Sequence, residues 1–436
     1  MTLPPHVSET SPPTATGGPG RRGARRLLAS SIVRQNILYL VGIGVSGIGV
    51  LLAQAYAAHR LTQAGNGEST AVVAVLNLLY TTSFVVAAGV ARQVAIAVAQ
   101  GTPAPERWAD LRHSTLRIGL YLGAAMIPVD FLLAFLLHLP HPEVLAATVV
   151  AGPLAAMAGT QRGYLQGARD FRRLALNLVL YGSTVVILSV VFLKVGLGSA
   201  SVPIATVAGA AASASYPRHR GAHLSRSPGP PGRLIDYTVV AGAATAPVFN
   251  NIDVVAARHV LSPSAAGLYS GLSVMGKIIF YGTSSLTAVM YPRIAAATSA
   301  SVRRRLLAQT MAVLGIVDAI LVLVYWFFAP HLLRIVLGIK YLGDSKLLLL
   351  FAAGVAGLTF VNLFVYYGMG SRVRHFAMVP AIGVPALIAW LFTSPPELGS
   401  FVPRIASALL LLAVLEAVLI LPAAFHSKGQ TPADTD

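Results

Sequence analysis

The chain has 436 residues, of which 55% are hydrophobic and only 11% charged, against roughly 25% charged residues in a soluble domain. So little polar surface excludes a soluble globular protein and points to a polytopic membrane protein. The net charge of +17 is spread between apolar stretches and is not gathered into one basic domain, which argues against a nucleic-acid partner. The absence of cysteine excludes disulfides, thiolate metal sites and cysteine nucleophiles.

Residues 1–30 are rich in Pro, Gly, Ser and Thr and end in Arg21, Arg22, Arg25 and Arg26. They read as a disordered basic tail, with no apolar core of a cleaved leader. Twelve apolar stretches follow, each near the ~20 residues that a bilayer core requires. They centre on 36–57, 70–97, 115–137, 144–166, 174–194, 199–216, 236–259, 265–291, 307–329, 346–368, 375–393 and 402–423. The sixth is small and Ala-rich. Basic clusters such as "QGARDFRR", "SVRRR" and "SRVRH" fall on one side, so both termini are expected in the cytoplasm. The Pro/Gly-rich "RHRGAHLSRSPGPPGR" resembles a linker. The expected organisation is a six-helix half over 31–217, a linker over 218–234, a second half over 235–425 and a tail over 426–436.

The polar insertions carry the functional clues. In the first half they are Gln54, Arg60, Asn77, Tyr80, Thr81 and Arg92; Arg60 and Arg92 either snorkel at opposite interfaces or face an internal space. Gly42, Gly44, Gly47 and Gly49 permit close packing or a bend in the first span. Asp130, Asp318 and Glu416 are lone acids on spans three, nine and twelve, either coupling sites or satisfied structural acids. "FNNIDVVAARH" places Asn250, Asn251, Asp253 and Arg258 in the outer half of the seventh span. The amides can bond sugar hydroxyls or bridge helices, and Asp253 can pair with Arg258.

Lys277 lies about 18 Å into the eighth span, where an ammonium must face protein or water. Ser270, Ser273, Lys277, Tyr281 and Ser284 form one polar stripe at helical spacing. Either the stripe lines a hydrated cavity, or the serines pack helices while Lys277 pairs with Asp253 or Asp318. His138, His141 and Glu143 lack the spacing of a metal site. There is no phosphate-binding loop and no catalytic constellation, so neither an ATP-driven pump nor an enzyme is expected.

An internal repeat supports the two halves. Tyr164 to Arg169 and Tyr367 to Arg372 both read Y-x-x-G-small-R, "AAHR" at Ala57 resembles "AARH" at Ala256, and Arg92 resembles Arg293. The offsets cluster near 200 residues. Six spans per half give both halves the same orientation, hence a pseudo-two-fold along the membrane normal.

The stretch "NNIDVVAARHVLSPSAAGLYSGLSVMGKIIFYGTSSLTAVMYPRIA" resembles the start of the second half of the Wzx-like polysaccharide-biosynthesis flippases. These belong to the multidrug/oligosaccharidyl-lipid/polysaccharide (MOP) exporter superfamily. The residues that carry the likeness are Asp253, "AAGLYS" at 265–270, Lys277 and "YPRI" at 291–294, and "RGYLQGARDF" at 162–171 resembles the inner loop after the fourth span. The sixth span is shorter, and the N-terminal tail longer, than is usual there.

The resemblance implies an all-α membrane protein with two six-helix bundles around a central lumen that opens alternately to each side. It implies a bacterial cytoplasmic-membrane location and a polyprenyl-(pyro)phosphate-linked glycan as cargo, delivered for cell-surface polysaccharide assembly. Membrane lipids, glycosyltransferases and a polysaccharide polymerase are the implied partners. No cofactor is expected, and H⁺, Na⁺ or the membrane potential would supply energy. Lys277 matches the basic residue in the lumen, with Arg60, Arg92 and Arg258 as further matches. Asn250, Asn251, Ser273 and Tyr281 would bond sugar or phosphate oxygens, and Asp253, Asp318 and Glu416 would couple ions or stabilise helices. The alternative within the superfamily is a multidrug/toxin extrusion antiporter, which a cationic lumen disfavours for cationic drugs.

Overall fold

A computed structural model describes residues 31–99, 108–216, 244–245, 247–297, 299–371, 376 and 378–426. The expected basic tail, the linker at 218–234, Arg372 of the repeat and residues beyond 426 lie outside the described residues. Secondary structure among the described residues is helical: α1 (Ser31–Arg60), α2 (Gln63–Ala99), α3 (Trp108–Leu136), α4 (Ala146–Gly167), α5 (Phe171–Lys194) and α6 (Ser201–Ala214) precede the linker. After it come α7 (Ile252–Val260), α8 (Pro263–Ala296), α9 (Ala300–Val336), α10 (Ser345–Ser371), α11 (Met378–Phe392) and α12 (Leu398–His426).

Local chemistry sets several starts. Asp170 caps α5 by accepting from the Arg173 N–H, Ser262 caps α8 ahead of Pro263, and Ser299 caps α9, each satisfying an amide that has no partner within its helix. Among the described residues eight helices are long and apolar enough to cross a membrane: α1, α2, α3, α4 with its preceding turn, α5, α9, α10 and α12. The remaining spans are shorter or more polar. The seventh expected span is not one continuous helix: its helical residues at 247–249 give way to a turn at Asn250 and Asn251 before α7 begins.

The packing has two-fold character. In the first half α2 packs on α4, α3 on α4, α4 on α6 and α1 on α5. Six helices later α8 packs on α10, α9 on α10, α10 on α12 and α7 on α11. The fold is therefore two six-helix bundles of like topology, and their meeting surface is made chiefly by α2 on α8, with α1 on α8 and α2 on α7.

Small residues make the closest contacts. The glycines of α1 divide by face: a Cβ on Gly49 would lie 2.7 Å from the Gly182 carbonyl oxygen, and one on Gly42 2.7 Å from the Ala175 Cα, whereas Gly44 and Gly47 meet nothing within 4 Å. Close helix approach accounts for two of the four, since dispersion between backbones replaces a solvent-driven force inside a membrane. Gly49→Leu is expected to destabilise the purified protein by about 1–3 kcal/mol through overpacking, read as a lower Tm, while Gly44→Leu leaves the Tm unchanged.

Candidate functional site

The halves are stitched together at the end remote from the start of α1 and the end of α12. A bond of 3.2 Å joins His59 Nε2 to the Ile335 carbonyl, Gln63 donates to the Lys340 carbonyl at 2.9 Å, and Asn66 donates to the Tyr341 hydroxyl at 3.1 Å. The Lys340 ammonium in turn donates to the Leu61 carbonyl. On the opposite flank Arg258 donates from Nε to Leu137 O at 3.0 Å and from Nη2 to His138 O at 3.1 Å, and His259 Nδ1 meets Leu136 O at 2.7 Å. Between these flanks α2 and α8 cross with a Gly267 Cβ position only 1.9 Å from the Gln63 carbonyl oxygen. This end is sealed by backbone-to-backbone approach and by polar bonds that would otherwise leave helix-end carbonyls without donors.

Deeper between the halves, the second half presents a layered wall. Tyr269 OH donates to Asp253 Oδ2 at 2.6 Å and Ser273 Oγ reaches the same oxygen at 3.4 Å. Oδ1 of Asp253 is buried and meets no donor among the described residues. Lys277 is 4% exposed and feels Asp253 electrostatically, yet it makes no hydrogen bond or ion pair among the described residues. One turn further, Tyr281 is 39% exposed, and its hydroxyl accepts from Asn250 Nδ2 at 3.4 Å. Asn251 uses its own amide to cover the Pro247 carbonyl at 2.7 Å and accepts from Asn77 of the first half at 3.1 Å. The expected stripe is thus graded: satisfied at Ser270 and Ser273, unpartnered at Lys277, and open at Tyr281.

In the first half Tyr80 and Tyr181 group with Arg162, to which the sequence analysis gave no role. Helix α4 continues to Gly167, so Arg162 lies inside the helix. Its Nε donates to Asn177 Oδ1 at 3.2 Å, and its guanidinium carbon sits 5.3 Å from the Tyr181 ring centre. Tyr181 adds to the electrostatic environment of Tyr281 in the second half.

No protein-family model matches the sequence, and no curated protein does. Solved structures do. The inward-facing form of a multidrug resistance MATE transporter of the MOP superfamily superposes with a TM-score of 0.66 at 14% identity, over 90% of this chain and 96% of that one. Its outward-facing counterpart gives 0.66 at 13%, covering 90% and 94%. A MOP superfamily transporter from Pyrococcus furiosus, described by a binding pocket of reverse polarity, gives 0.64 at 13%, covering 90% and 95%. The chain has the MOP transporter fold.

Within this MOP fold the other expected residues are dispersed. Arg60 and Arg92 are exposed near opposite ends of the bundle, away from Lys277. Arg258 does not pair with Asp253: it is committed to the two carbonyls that end α3, with Glu68 nearby. Asp318 forms no ion pair with Lys277: its Oδ2 accepts from Thr359 at 2.5 Å and its Oδ1 meets no donor among the described residues. Glu416 is fully buried, and neither of its oxygens meets a donor among the described residues. His141 and Glu143 form an exposed pair at 3.3 Å, and no cluster of metal-ligating residues occurs among the described residues. Glu68, buried and accepting from the His141 N–H, was not anticipated, because "QAGNGES" is too polar to read as part of a span.

The sealed end can be tested directly, since the chain has no native cysteine. Asn66→Cys with Tyr341→Cys is expected to be joined by a short bifunctional maleimide in native membranes, seen as a shifted band on a gel, with neither single variant shifting. Failure of the pair to react would show that these helices stand apart in the membrane.

Proposed function

We propose that this chain is a flippase moving a lipid-linked oligosaccharide from the inner to the outer leaflet of the bacterial cytoplasmic membrane for cell-surface polysaccharide assembly. With both termini cytoplasmic, the sealed end is the outer one, and cargo enters from the cytoplasmic side. The observation that carries the reading is Lys277: a buried ammonium with no hydrogen bond or ion pair among the described residues, set above the exposed Tyr281. Such a cation awaits an anion, and a phosphate leaving water needs fixed cations and donors to offset its desolvation. Asn250, Tyr281 and Ser273 supply neutral polar atoms around it for sugar or phosphate oxygens. The polyprenyl tail stays in lipid. Glu416, neither of whose carboxyl oxygens meets a donor among the described residues, is the acid we assign to H⁺ or Na⁺ coupling, while Asp318 and Asp253 each have one oxygen bonded by a hydroxyl.

A second reading is multidrug extrusion. It is favoured by the fold shared with MATE transporters described by multidrug resistance. A cationic space between the halves opposes organic cations, so the flippase is the stronger reading.

Depletion of the protein is expected to leave lipid-linked glycans facing the cytoplasm. Complementation with Lys277→Gln is expected to restore at most a tenth of normal outer-leaflet delivery, and Lys277→Arg to restore most of it. Normal leaflet distribution together with lost drug resistance would establish the antiporter instead.

A further inference from the structure

Helices α3 and α9 end in the same turn, used once in each half. The Leu139 N–H donates to the Ala134 carbonyl at 3.3 Å, and the Gly338 N–H to the Leu333 carbonyl at 3.0 Å. Donors and acceptors are both offset by 199 positions, since 338 − 139 = 199 and 333 − 134 = 199. Such a turn satisfies only some of the last carbonyls of a helix. Here the missing donors come from the opposite half.

On one side, Arg258 covers the carbonyls of Leu137 and His138, and His259 covers that of Leu136. Three successive carbonyls at the end of α3 are thus capped by two successive residues of α7. On the other side His59, one residue before the end of α1, meets the Ile335 carbonyl near the end of α9. Carbonyl oxygens only accept, so His59 Nε2 and His259 Nδ1 are both the donors. The pseudo-two-fold relates the two arrangements: Arg258 and His59 are offset by 258 − 59 = 199, and Ile335 and Leu137 by 335 − 137 = 198. In each case the first helix of one half caps the third helix of the other.

Both turns are shaped for their cap. Gly338 has φ +99°, and a Cβ there would lie 3.1 Å from His59 Nδ1, so glycine permits the turn and leaves room for the ring. In the other turn His138 takes the positive-φ place, at +47°, a conformation that a side chain other than glycine keeps only where its surroundings hold it. What holds it belongs to the second half. Arg258 takes its carbonyl, and its ring stacks at 5.8 Å on His259, which stacks in turn at 4.8 Å on Phe392 of α11.

We propose that these crossed caps are the latch of the outer gate: each half closes an open helix end of the other, and the carrier opens outward by exchanging both sets of caps for water. The end concerned is the outer one in the orientation proposed above. The device goes beyond the flippase reading and would serve either cargo. The two sides differ in strength. Arg258 is permanently charged and lies at the negative end of the α3 dipole, whereas the α1 side has one imidazole bond, backed by Lys340 on the Leu61 carbonyl.

The test uses the full-length protein in lipid nanodiscs, spin-labelled at Glu143→Cys and Glu397→Cys, exposed positions on opposite halves at this end, with no native cysteine to interfere. Pulsed electron-spin distance measurement then gives the fractions with the outer end closed and open. The short-distance population is expected to dominate in the otherwise unaltered protein. Arg258→Ala should raise the open-to-closed ratio about tenfold, and His59→Ala about threefold, as loss of charge-assisted and neutral hydrogen bonds respectively. Lys194→Ala removes a basic residue at the end of α5 that makes no hydrogen bond among the described residues, and should leave the ratio unchanged. An unaltered ratio in folded Arg258→Ala or in His59→Ala would overturn the latch, as would a rise in Lys194→Ala equal to that in His59→Ala. Should Arg258→Ala fail to fold, Arg258→Lys decides: it keeps the charge but loses the two-pronged grip, so a several-fold rise supports the latch and an unchanged ratio overturns it. The readout contains no cargo, so the latch and the flippase reading fail separately.

Discussion

The crossing of α2 and α8 at Gly67 and Gly267 is the constraint on which the rest of the arrangement depends. A residue near a two-fold axis meets its own equivalent, and these two differ by 267 − 67 = 200 positions, the same register that the sequence repeat shows. A Cβ on Gly67 would lie 2.9 Å from the Gly267 nitrogen, and one on Gly267 closer still to Gln63. Side chains larger than hydrogen would wedge the two halves apart. Ten residues along each helix, about 15 Å deeper, the equivalent positions are Asn77 and Lys277; one turn further Tyr80 matches Phe280 and Thr81 matches Tyr281. The contact at one end thereby sets the depth of the polar residues in the middle.

Pseudo-symmetry of backbone does not extend to charge. Where the second half carries Lys277, the first carries neutral Asn77. The acids are handled differently from the bases. Asp253 is met by Tyr269 and Ser273, Asp318 by Thr359, and half-buried Asp130 by Thr148 at 2.8 Å to both oxygens. A hydroxyl meets one oxygen of Asp253 and of Asp318 without supplying a counter-charge, while Oδ1 of each and both oxygens of Glu416 meet no donor among the described residues. Lys277 forms no ion pair with any of these acids among the described residues.

Most of the architecture was legible because membrane helices advertise themselves by length and apolarity, and because a repeat near 200 residues survives in scattered matches. The stripe on α8 was legible for the same reason, as one polar face on an apolar helix has little to compete with. The failures have physical causes. Arg162 was hidden by its neighbours: "RGYLQGAR" has the glycines and charge of a loop, yet a Cβ on Gly163 or Gly167 would press on Ala87 or Ala91 of α2, so the glycines serve close packing and the helix runs through them. The first turns of α2 were hidden by Asn66 and Glu68, polar residues whose partners come from distant sequence. Arg258 read as a lumen cation because composition cannot reveal that the end of α3 offers it two carbonyls. Pairing choices are tertiary facts, and spacing along one helix does not determine them.

The break in the seventh span ties the seal to the site. A helix interrupted in the bilayer leaves carbonyls that need donors, tolerable only beside protein or water. Asn251 answers part of that need from within, through Pro247, and is bonded across the halves by Asn77. Asn250, its neighbour in sequence, bonds Tyr281 at the exposed part of the stripe. Two adjacent amides thus face different tasks: one joins the halves, the other touches the residue where cargo would arrive. Parting the halves at this depth must break the Asn77–Asn251 bond, and a ligand competing for the Tyr281 hydroxyl must act on Asn250. Because both residues lie in a turn rather than in a hydrogen-bonded helix, their backbone has fewer internal bonds to resist a change at either side chain. The unwound pair therefore links Tyr281 to the bond that joins the two halves.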